Sequence, residues 1–326
     1  HSLTDERRTE EAVVVSELRS VYGDLDEGRR RWLLGRKLGP IEPHHAQLDR
    51  PALVTHVLPQ EGRHVLLEVA AAMAGLESKL FRSELSDFGV TAKDKIGPRS
   101  GHPLRALLDR LCKILGLAEI ELVLSPTIKR TRVIVQDNLW IAVPKATAEA
   151  SEGVQAAAIG RALARISLGV PWLEEIPPGQ MEAFLIACAR QVVHGYGADD
   201  VDILVSKLVP SFEAGVAKHI NRKQKKILEE LSVHLAAPEG RPLPIDFFLL
   251  QLARAEVRAA TLLSGEILAA IAEIRSVEPE LQRRTQETGR DAFLAFYAHP
   301  LAGDVFRFAL SPEAIALRRR IGSTWA

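Results

Sequence analysis

Apolar positions along the chain fall into two rhythms. In EGRHVLLEVAAAMAGLESKLF (61–81) they sit at Val65, Leu66, Val69, Ala72, Met73, Leu76 and Leu80. That is the 3.6-residue period of a half-buried helix. The same period marks LRALLDRLCKIL (104–115), which Gly116 is placed to cap, and SEGVQAAAIGRALARISL (151–168). Between these helices the rhythm changes to short β-branched runs: IELVLS (120–125), TRVIVQ (131–136) and LWIAVP (139–144). Asp137-Asn138 is a tight-turn pair between the last two runs, so the pattern predicts a small antiparallel meander. Beyond 168 everything reads helical: 179–194, 199–208, 211–236, 245–263, 264–276, 279–297 and 312–320. Breaks are expected at Pro171, Pro177-Pro178-Gly179, Pro210, Pro238–Pro244, Gly265 and Pro300. The expected fold class is α+β, predominantly helical, with one small antiparallel sheet at about 120–144. No period of 20–50 residues recurs.

Residues 1–50 are charged, open with a helix-start signal at Thr4-Asp5-Glu6 and are broken by Gly28, Gly35, Pro40 and Pro43. They are expected to form an arm, with a helical part at 51–115. The strands and helical bundle of 116–326 are expected to be continuous with that part. The first residues, His-Ser, read as a tag remnant on a fragment of a longer chain.

Basic and acidic residues balance at 42 each, so no global field draws the chain to nucleic acid. The short basic runs at Arg29–Arg31, Lys223–Lys226 and Arg318–Arg320 read as solvated helix faces. No apolar run approaches the roughly 20 residues of a membrane span. Cys112 and Cys188 stand among apolar residues and read as buried free thiols, which suits the cytoplasm.

Little catalytic chemistry can be assembled from the residues. None of the ten histidines has another at i+3 or i+4. His44 and His45 are adjacent in a Pro-flanked loop. No G-x-S-x-G elbow, phosphate loop or dinucleotide fingerprint is present. No metal and no cofactor are expected. An enzyme of another class stays open as an alternative, with His102, Asp109 and Glu182 as the groups that would have to converge. A nucleic-acid-associated module using the basic runs is a further alternative. Phe293, Phe296 and Tyr297 in DAFLAFYAHP read as core or as a groove for a partner.

The order of strands, hairpin, helix and later helix over about 104–276 resembles the small gluzincin-type zinc peptidases (minigluzincins). In these the first helix carries H-E-x-x-H, and a later helix carries a pattern like E-x-x-A-D-R. The stretches KDKIGPRSGHPLRALLDRL, AAIGRALARI, VRAATLLSGEILAAIAEI and VFRFALSPEAIALRRRIG are similar to a group of bacterial, notably myxobacterial, proteins. Those carry tetratricopeptide repeats upstream of a domain with this layout. The resemblance implies a gluzincin-like core whose chemistry has been replaced. Gly160 stands where the first His would be, Arg161 where the catalytic Glu would be and Ala164 where the second His would be. Arg254 falls near the later Glu, with Glu256 close by, and Arg258 falls near the Asp. Glycine and alanine offer no ligand, and arginine is no base at neutral pH. Arg161 with Arg254 or Arg258 is expected to seek Glu174, Glu256 or another acid. The implied function is a non-catalytic pseudo-metallopeptidase domain that binds a protein or peptide partner, as the C-terminal part of a larger repeat protein.

Overall fold

The computed structural model describes residues 9–35, 47–172, 176–283 and 288–322, with Glu77 described in its backbone only. The chain is mostly helical around a three-stranded mixed sheet. The first helices are α1 (Thr9–Val21) and α2 (Glu27–Leu34), so the charged N-terminal stretch is helical where it is described. The expected single helix at 61–81 is split into α3 (Val65–Ala72) and a short turn, Glu77–Leu80. The cause lies at Gly75, whose φ of +85° leaves the helical region.

Helix α4 (Pro103–Leu115) follows, with its N–H groups capped by His102 and its C-terminus closed by left-handed Gly116. Then come β1 (Glu121–Ser125), β2 (Arg132–Val135) and β3 (Leu139–Pro144). The β2–β3 hairpin turns at Asp137-Asn138 as read from the sequence. The meander is corrected: the strand order is β1-β3-β2, and β1 pairs with β3 in parallel. β3 is the most apolar of the three, and Ile141, Ala142 and Val143 are fully buried. A strand that is apolar on both faces is favoured in the centre of a sheet, which puts β1 and β2 on its two sides. Both outer edges are covered. Ile96 N–H donates to the Leu122 carbonyl along β1, and Ser83 N–H donates to the Val135 carbonyl along β2.

Helix α5 (Glu152–Leu168) comes next, packed against α4 and two later helices. The remainder is α6 (Pro178–Arg190), α7 (Ile203–His219), α8 (Arg222–Ala236), α9 (Ile245–Ser264), α10 (Ile267–Val277), α11 (Gly289–Ala298), α12 (Ala302–Ala309) and α13 (Pro312–Arg320). The break expected at Pro210 is corrected, since Pro210 lies inside α7. The chain breaks instead at Asn221, where an Asn221/Gln224 capping box starts α8. The expected helix 279–297 is interrupted, with a short helical segment at Pro279–Arg283 before α11.

One apolar cluster runs from Leu48 to Ile321 and includes the sheet face of Leu122, Val133, Val135, Ile141 and Val143. The opposite sheet face is closed by Phe88 and Val90. A second cluster joins α1, α10, α11 and α12 to Val257 on the outer side of α9. No helix among the described residues is long and apolar enough to cross a membrane.

Candidate functional site

Helices α5 and α9 approach each other closely because α5 presents small residues to its neighbours. A β-carbon at Gly160 would lie 3.2 Å from Leu263 Cδ1 and 3.4 Å from the Ala260 Cα. One at Gly153 would lie 2.6 Å from Glu266 Oε2. Ala164 is fully buried in the main core. Two of the positions expected to mark a lost zinc site are therefore packing positions.

The polar chemistry of α5 lies beside that stripe. Arg161 and Arg165, one turn apart, share a face. Arg165 forks onto Glu256 of α9, with Nε to Oε1 at 2.9 Å and Nη2 to Oε2 at 2.7 Å. Arg161 donates through Nη1 to both oxygens of Glu273 on α10, at 3.2 and 3.0 Å. Its Nε lies 3.8 Å from Glu256 Oε2. All four side chains are largely withdrawn from solvent. Two guanidinium groups and two carboxylates thus tie three helices together in a low-dielectric setting, where forked charge-assisted hydrogen bonds are strong.

The sequence reading named Arg161 and allowed Glu256 as a partner, but it overlooked Arg165 and Glu273. The spacing R-x-x-x-R on a helix with an otherwise apolar face was the available signal. Arg254 and Arg258 do not join this lattice. Glu256 is two residues from each, and two residues turn an α-helix by about 200°. They face α12 instead. Arg258 forks onto Asp304 at 2.7 and 2.9 Å, donates to the Val57 carbonyl at 3.1 Å and lies over the Phe308 ring. Arg254 stands 4.0 Å from Asp304 and donates to Gln251. Glu174, His44 and His45 lie outside the described residues.

Among the described residues no group of three or more His, Cys, Asp or Glu side chains is placed to hold a metal ion. Three imidazoles serve as helix caps. Nδ1 accepts from Leu66 N–H at His64, from Leu104 N–H at His102, and from Leu301 and Ala302 N–H at His299. Burial holds His64 and His299 below the ordinary imidazole pKa. His102, Asp109 and Glu182 are engaged in different places. Asp109 pairs with Arg105, and Glu182 lies on α6, its carboxyl raised by burial and by Asp246 and Asp202. Of the aromatic trio, Phe296 packs into the second cluster against Phe306 and cannot reach a partner from there. Phe293 is wedged between Tyr22 and Tyr297, and Tyr297 is 45% exposed. The reading of Arg318–Arg320 as a solvated face is corrected at Arg318, which is buried, while Arg319 pairs with Glu10 and Arg31 of the first run pairs with Glu27.

A cleft of about 950 Å³ opens between the 80–88 segment, the loop leading into β2, the start of α6 and the end of α10. Phe81, Phe88, Ile128, Ile176 and Val277 give it apolar walls, and Arg82 and Lys129 stand among its charged residues. Because Val133 and Val135 are fully buried and Ser83 already bonds the outer side of β2, the cleft offers no free strand edge. No family model, curated protein or solved structure matches the chain.

Proposed function

We propose that the chain is a non-catalytic, metallopeptidase-like domain that binds a protein or peptide partner in the cytoplasm, as the C-terminal part of a larger repeat protein. The observation that carries this reading is the Arg165–Glu256 fork beside the Arg161–Glu273 pair. A carboxylate clamped by a guanidinium is neither a free metal ligand nor a free general base. The side chains that surround it, arginine, alanine and glycine, cannot replace those functions. What survives is a cleft whose apolar walls and polar rim suit an extended segment of another protein. With both sheet edges covered, that segment is held by side-chain contacts rather than as an added strand.

The test is elemental analysis of the purified chain with a cleavage assay on unfolded casein, alongside selection of binding peptides from a display library. The expected result is no stoichiometric zinc, no cleavage, and selected peptides that lose binding to Val277→Arg. Metal-dependent cleavage would overturn the non-catalytic reading. Peptides indifferent to Val277→Arg would overturn the cleft.

A further inference from the structure

The side chains that meet at the α5–α9–α10 junction have a layout that their chemistry disguises. Arg161 and Arg165 stand at i and i+4 on one helix, and the acid that faces both comes from a neighbouring helix. That is the arrangement by which two side chains of a helix and one distant carboxylate hold a tetrahedral metal ion. It runs one residue later than the GRALA alignment, with Arg161 and Arg165 in the places of the two ligands and Ala162 in the place of the general base. On α9 the corresponding residue is Glu256, and EVRAA (256–260) keeps the Glu and the Ala of E-x-x-A-D with Ala260 in the last place. The residues present do not fit a metal. A protonated guanidinium has no lone pair to donate, and arginine is protonated at neutral pH.

At this junction the carboxylates of Glu256 and Glu273 are each met by a guanidinium group, from Arg165 and Arg161. We infer that the two guanidinium groups stand in for a divalent metal ion, tying α5, α9 and α10 together at a junction that still has metal-site geometry. This rests on the peptidase-like reading and adds the register and the stand-in. It explains why a carboxylate on α9 is kept fully buried opposite an otherwise small-residue helix.

The test is the full chain carrying Arg161→His and Arg165→His, titrated with Co(II) and Zn(II). The expected result is about one metal ion per chain. Co(II) should show the d–d bands of a tetrahedral site, and both signals should be lost when Glu256→Gln is added. A folded double variant that binds neither ion overturns the inference, and so does binding that survives Glu256→Gln. Should the double variant not fold alone, Zn(II) is expected to restore its circular dichroism and thermal transition, and failure to do so also overturns the inference. Zinc and casein cleavage in the unaltered chain would instead sink the non-catalytic reading, so the two failures are told apart.

Discussion

Arg165 and Glu256, 91 positions apart in the chain, meet as a bidentate pair with each side chain only 3% exposed. Removing one member of such a pair strands a charge in the interior, whereas replacing both with apolar groups does not. Glu256→Leu or Arg165→Met alone should therefore cost about 3–5 kcal/mol of stability. The double variant should cost less than either. Urea unfolding of the four chains, read as a double-mutant cycle at constant m, measures the difference. Singles that cost less than about 1 kcal/mol would mean that the pair is solvated like a surface ion pair.

At Gly160 two effects oppose each other. An added methyl group meets Leu263 and Ala260 at 3.2 and 3.4 Å, tight enough to need a small adjustment. Alanine is also the better helix former by up to about 1 kcal/mol. Gly160→Ala should come out near neutral. Gly160→Leu has no room to expand and should lose on the order of 1–3 kcal/mol by overpacking. Thermal unfolding of the pair separates packing from propensity. Equal losses in both variants would mean that the helices cannot shift at all.

Much of the fold was legible because local signals were strong. Gly116 closes α4, and Asp137-Asn138 makes the hairpin turn. The strand order was not legible. Alternation tells which face a residue takes but not which strand it pairs with, and the preference of β3 for the centre emerges only when all three strands compete. Pro210 misled because a proline signals a break, yet helix packing tolerates one within α7. The site was half legible. Arg161 was singled out through the peptidase motif, at the place of the catalytic Glu, but its partner Glu273 lies 112 residues away, and sequence alone carries no such distance.

The two thiols should be inert. Burial, with the Asp109 carboxylate adding to it, pushes the Cys112 thiol up to about 12, and burial pushes Cys188 up as well. Both are free in the structure. Since the thiolate is the reacting form, neither should label with iodoacetamide at pH 8 in the native chain. Both should label once urea unfolds it, as counted by mass spectrometry. Rapid native labelling of either would mean that its helix opens locally far more often than the global transition.

Glu17 makes stability depend on pH in the sense opposite to an ordinary paired carboxylate. It lies on α1, is almost fully buried, and accepts from the Ile267 N–H at the start of α10 at 3.1 Å. Arg318 of α13, which donates to the Gly265 carbonyl, attracts it, and Glu266 repels it. Burial outweighs the attraction and raises its pKa from 4.5 to about 7. The folded state therefore holds this proton more tightly than the unfolded chain does. The stabilisation is fully present below about pH 4.5 and is lost as pH rises through about 7. Full loss amounts to roughly 3–4 kcal/mol. Glu17→Gln keeps an uncharged group of the same shape at Ile267. Its advantage over the unaltered chain should grow from near zero at pH 4.5 to its full size near pH 8. The urea midpoints of both chains across that range measure it, and the difference cancels every other titrating group that the two chains share. A gap that stays flat with pH would mean that Glu17 is charged throughout, with Arg318 winning over burial.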